Sequence, residues 1–110
     1  MSLQQRHHCH ANGCHAITPG RYFMCVPHWR LLTANLQTAL RNALRERGSN
    51  PFYQPYYEAC ANAVEYVAMR EGRQGFNSFR RVAAALSRPE HPLHNQAYRK
   101  GAKMELRPTA

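Results

Sequence analysis

Apolar residues recur at helical spacing over three stretches of this chain, all of them beyond its first quarter. In the first stretch Trp29, Leu32, Leu36, Leu40 and Ala43 or Leu44 fall three or four positions apart. Arg30, Gln37, Arg41 and Arg45 cluster on another face, so the pattern predicts an amphipathic helix with a basic outer stripe. Pro27 suits a first helical turn carrying His28 and Trp29, Thr33 is a fitting N-cap, and Gly48 stops a helix that continues to about Arg47. After the loop Ser49-Asn50-Pro51, Pro55 opens a second helix running to about Glu71, ahead of Gly72. Its predicted buried face is Tyr56, Cys60, Ala63, Val64 and Val67, with Glu58, Asn62 and Glu65 elsewhere. A third helix is predicted from about Ser78 to Ser87, with Phe79, Val82, Ala83 and Leu86 inward and Arg80, Arg81 and Arg88 outward.

The two ends lack such periodicity. Residues 1–6 form a polar leader, and from His7 to His28 the chain is punctuated by tight turns at Asn12-Gly13 and Pro19-Gly20. The short run Arg21-Tyr22-Phe23-Met24-Cys25 after the second turn reads as a strand. Pro89 and Pro92 end regular structure, and the basic stretch from Tyr98-Arg99-Lys100 through Lys103 and Arg107 is expected to be extended or partly disordered. The expected fold is therefore mainly α and a single domain over 1–110. It comprises an N-terminal loop module over 7–30, about three helices over 31–88, and a basic tail over 89–110.

The loop module carries the chemistry. Cys9, Cys14, Cys25 and His28 stand at C-x4-C-x10-C-x2-H spacing, which lets a short loop fold back over one tetrahedral zinc ion. The strand expected over residues 21–25 delivers Cys25 to the metal. Thiolate and imidazole are the ligands Zn²⁺ prefers, and closed sites of this kind are structural, so one Zn²⁺ per chain in a zinc knuckle is expected. His7, His8, His10 and His15 flank the cysteines as alternative ligands; His28 is preferred because a C-x2-H pair at a helix start puts both donors on one side of a tight turn. Cys60, mid-helix on an apolar face, reads as a small buried hydrophobe. The run from Cys9 to His15 also has a rarer haem-attachment spacing, but that would leave Cys25 and His28 without a role.

Catalytic signatures are missing. No Gly-rich phosphate loop, G-x-S-x-G elbow, H-E-x-x-H or zinc-deaminase pattern occurs, and Glu46 is the first glutamate after the knuckle. A binding protein is expected, not an enzyme. No apolar run approaches the roughly 20 residues that span a bilayer, and no secretory signal is evident, which predicts a soluble cytoplasmic protein whose thiols stay free for metal.

Charge then points to a partner. Fifteen Lys and Arg face six Glu and no Asp, a formal net charge of +9, so a polyanion is the natural ligand. Arg30, Arg41 and Arg45 on one helix, and Arg80 and Arg81 on another, are the candidate phosphate-binding or partner-binding residues.

The stretch Cys9-His10 through Cys14, then Pro19, then Met24-Cys25-Val26-Pro27-His28-Trp29 and Leu32, resembles small zinc-binding proteins encoded by tailed phages and prophages. The likeness covers about residues 7–45, and the chain departs from it at Thr33, where proline would stand. It implies Cys9, Cys14, Cys25 and His28 as ligands and Trp29 as a packing residue beside the site, and it implies no common activity. The leading expectation is a phage-type accessory protein that binds nucleic acid or a host nucleoprotein complex. The alternative is a protein-directed inhibitor of a host machine, of anti-defence or anti-CRISPR type, whose basic face meets a host protein.

Overall fold

A computed structural model describes residues 6–20, 22–73 and 77–101 of the chain. Among them the order of elements is β1 (Arg6–His8), β2 (Ile17–Pro19), α1 (Val26–Leu31), α2 (Ala34–Arg47), α3 (Gln54–Arg70), α4 (Ser78–Leu86) and α5 (His94–Ala97). The mainly helical expectation is shown, together with a small antiparallel ribbon that the sequence pattern did not reveal.

That ribbon pairs His7 with Thr18 and His8 with Ile17. The turn at Asn12-Gly13 makes it possible, because the chain reverses there and brings residues on either side of the first two cysteines back alongside each other. Tyr22 N–H then donates to the Pro19 carbonyl, which closes the second turn. The strand expected over residues 21–25 does not form over 22–25, and Arg21 lies outside the described residues. Cys25 keeps extended backbone but serves as the N-cap of α1, with Pro27 in the first turn, so this segment leads into a helix and pairs with no strand among the described residues.

Leu32 breaks the helix with extended backbone, and Thr33 starts α2 by accepting a hydrogen bond from Leu36 N–H at 3.2 Å. The hydroxyl thus supplies the boundary that proline would otherwise mark. Gly48 ends α2, and α3 packs against both α2 and α4. The centre of the core is α3, whose Cys60, Ala61, Ala63, Val64 and Val67 are buried, joined by Leu32, Leu40, Ala43, Ala83 and Leu86. Four alanines on α3 (Ala59, Ala61, Ala63 and Ala68) are buried, so its neighbours approach closely.

Some inward assignments need correcting. Val82, expected inward, is exposed at 38% because its neighbour Ala83 fills the core position; of the alternatives Ala43 and Leu44, Ala43 is the buried one. Tyr56 and Phe79 are partly buried at the margin of the core.

The segment after Pro89 is also more ordered than expected. His94 and the Leu86 carbonyl, 2.9 Å apart, join α5 to the end of α4, and Ala97 is fully buried. Asn50 Nδ2 donates to the carbonyls of Gln96 and Arg99, and Gly101 N–H to that of Glu46. A Cβ on Gly101 would collide with the Arg47 carbonyl, so only glycine lets this segment lie against the end of α2. The leader residues 1–5, and Lys103 and Arg107 of the tail, fall outside the described residues.

Candidate metal centre

Cys9, Cys14, Cys25 and His28 converge, with one donor atom from each lying within 4.8 Å of the others. Cys9 follows β1, Cys14 follows the Gly13 turn, Cys25 caps α1, and His28 sits in that helix's first turn. His28 Nδ1 is 3.1 Å from Cys25 Sγ and 3.4 Å from Cys9 Sγ, while the Cys14 and Cys25 sulfurs are 4.0 Å apart. Metal–ligand bonds of about 2.0–2.3 Å give tetrahedron edges of about 3.3–3.8 Å, so the four donors have the spacing to hold one ion. All four cysteines of the chain are free of disulfides. The other N-terminal histidines stay out of this set. His7 stacks on His10, and His8 meets His15 edge-on.

Backbone hydrogen bonds fix the loop. Cys9 N–H donates to the Ala16 carbonyl, Cys14 N–H to that of Ala11, and Trp29 N–H to that of Cys25. Burial pushes the Cys9 thiol up to about 12, against a lesser pull from backbone N–H groups of Cys25 and Ala11. A cation at the centre would supply the missing compensation and favour the thiolate.

Sequence reading missed Glu71. Its Oε2 lies 2.9 Å from His28 Nε2, on the ring edge away from the donor Nδ1. In sequence the first glutamate after the cluster is Glu46, yet it is the more distant Glu71 that the fold brings to His28. The helix ending explains how it gets there. Gly72, at φ 65°, closes α3 with Gly72 N–H to Met69 carbonyl and Arg73 N–H to Ala68 carbonyl. This two-bond cap turns the chain so that Glu71 and Arg73 both face the metal loop. Arg73 Nε is 3.5 Å from Glu71 Oε1, and Arg73 Nη1 donates to the Asn12 carbonyl at 3.4 Å. The separation of 43 residues between His28 and Glu71 leaves no local spacing that could have announced the pair.

The arginines divide. Arg30, expected on one helix with Arg41 and Arg45, stands instead on α1 because Leu32 breaks the helix before α2. All three are exposed, and among the described residues no carboxylate pairs with them. Arg41 lies over the Trp29 ring, 5.4 Å from its centre. Trp29 itself is partly buried beside the site, less enclosed than a core residue. Arg80, expected to face outward, turns onto α3 instead. It donates to Glu65, Glu58 and Asn62 at 2.6–3.0 Å, because those three side chains form one polar strip along the helix. Arg81 is exposed on α4.

No helix among the described residues is long and apolar enough to cross a membrane. The molecule is thus a mostly helical chain headed by a cluster of three cysteines and one histidine fit for a metal ion. No protein family, curated protein or solved structure matches it.

Proposed function

We propose that this is a zinc-stabilised, basic accessory protein that binds nucleic acid or a nucleoprotein complex, of the phage-encoded kind its N-terminal motif resembles. The metal is Zn²⁺, held as a closed structural site, since three thiolates and an imidazole are its preferred donors and leave no ligand position for water. Cys9, Cys14, Cys25 and His28 hold it. Glu71 accepts the imidazole N–H and fixes the ring, a role that needs no open coordination position.

One observation carries the binding reading. Arg41 and Arg45, one turn apart on the exposed side of α2, lack carboxylate partners among the described residues in a chain of charge +9. Cations without internal partners are available to phosphates. The test is a salt-dependent titration with DNA and RNA. Log affinity should fall linearly with log salt, and Arg41→Ala with Arg45→Ala should shallow the slope by roughly 0.7–0.9 for each phosphate that the protein no longer neutralises. Absence of binding at low salt would overturn the reading.

A second reading, a protein-directed inhibitor of a host machine, is favoured by the exposed apolar residues Ile17, Val26 and Leu44 near the same arginines. In that case a host complex recovered by pull-down disappears on the same substitutions while nucleic acid binds only weakly.

A further inference from the structure

We propose that the cleft between the metal loop and α2 receives an unpaired nucleobase and its phosphate, so that the protein binds single-stranded in preference to duplex nucleic acid. The proposal rests on the nucleic-acid reading above and narrows it. The cleft has a volume of about 700 Å³, which accommodates one or two nucleotides. Its lining includes Phe23 and Trp29, Leu40 and Leu44 of α2, and Tyr56 of α3.

Among the described residues lining it the permanent cations are Arg41 and Arg47, and none of these residues carries a carboxylate. Each guanidinium lies against a ring, Arg41 over Trp29 and Arg47 at 4.8 Å from the centre of Tyr56. Arg47 Nε is buried with no hydrogen-bond acceptor, and no carboxylate among the described residues pairs with this side chain. A partly buried cation held chiefly by a ring face is under-compensated, and an anion delivered into the cleft would correct that.

An anion attached to a flat, apolar ring is therefore the complementary ligand. Aromatic faces and guanidinium planes both stack on bases, and adjacent cations take the phosphate. The buried hydroxyl of Thr18, which lines the same cleft, is already given to the carbonyls of Pro19 and Tyr22. Stacking on the rings and charge from the two arginines are the interactions that every base and its phosphate can make here. A duplex keeps its bases paired and stacked and cannot place one here without opening.

Trp29 is the chain's only tryptophan, so its fluorescence reports on the cleft directly. The metal-loaded full chain is titrated at fixed salt with a short single-stranded oligonucleotide, the same sequence as a duplex, and inorganic polyphosphate. Expected are quenching of Trp29 by the single strand and about tenfold tighter binding than to duplex. Leu44→Glu and Arg41→Gln should abolish both the quenching and the preference, whereas Arg88→Gln, which removes the same charge from the far end of α4, should leave them. Circular dichroism and metal content establish that each variant is folded. Equal affinity for duplex and single strand with unchanged Trp29 emission would overturn the cleft assignment and leave nucleic-acid binding standing. Binding no better than polyphosphate would overturn both. Quenching by an acidic, tyrosine-containing peptide but not by the oligonucleotide would assign the cleft to a protein partner and overturn the proposal.

Discussion

His28 Nε2 and Glu71 Oε2 are 2.9 Å apart, which ties the imidazole of the metal cluster to the far end of the longest helix. A carboxylate there fixes the ring's orientation and makes Nδ1 a better donor. Glu71→Gln keeps the size of the side chain but removes its charge. Metal affinity should fall about 10–100-fold, as measured by competition with a chelator of known affinity. Unchanged affinity would show that α3 contributes nothing to the centre.

Purified protein should contain one zinc per chain, and Cys25→Ser should abolish its retention. Since Cys25 also caps α1, chelation should lower the melting temperature and expose residues 7–30 to protease. Elemental analysis of freshly prepared protein is the direct check, and a near-absence of metal would refute the site.

Arg80 holds the Glu65 carboxyl below the ordinary value of 4.5, chiefly through their hydrogen bonds. A depressed folded-state value means that the stabilisation is complete above about pH 4.5 and disappears as pH falls through the folded-state value. Both side chains are substantially exposed, so solvent screening keeps the ion-pair contribution to at most about 1 kcal/mol. Denaturation curves of wild type and Arg80→Ala should therefore converge as pH drops below 4.5. A gap that widens on acidification would contradict the pairing.

Gly101 lies against the end of α2, where a Cβ would strike the Arg47 carbonyl. Gly101→Ala should detach the segment around α5 and destabilise the protein, by about 1–3 kcal/mol if the backbone yields only partly. Hydrogen exchange at Ala97, which is fully buried, would report the detachment. Protection equal to wild type would mean that the segment docks without this approach.

Trp29→Ala should cost less than the roughly 3–5 kcal/mol of a fully enclosed aromatic, because one side of the ring faces the cleft under Arg41. Its emission in the native protein should lie between buried and exposed indole. A fully buried spectrum would place the ring inside the core after all.

The sequence was most informative where the determinants are local. The clustering of Cys9, Cys14, Cys25 and His28 could be read from their spacing over one short segment, and the Thr33 cap and the bounds of α2, α3 and α4 within a few residues, since capping and helical periodicity act over one or two turns. What escaped depends on distant partners. Arg80 looked like an outward cation because its acceptors, Glu58, Asn62 and Glu65, belong to another helix. The order around α5 was hidden for the same reason, as Asn50 and the Glu46 carbonyl provide the hydrogen bonds. The ribbon between β1 and β2 escaped because three-residue strands are too short to show alternation.

Chain connectivity separates the metal cluster into an early part and a late one. Cys9 and His28, the outermost ligands, are 19 positions apart, whereas His28 and Glu71 are 43 apart. Closing the shorter loop costs less entropy, and during synthesis the complete donor set emerges well before Glu71 does. A nascent chain could thus bring all four donors together before Glu71 is exposed to meet His28. In a metal-loaded chain, docking of α3 would then close over a donor set already assembled, so that ion capture would precede the packing of the helices.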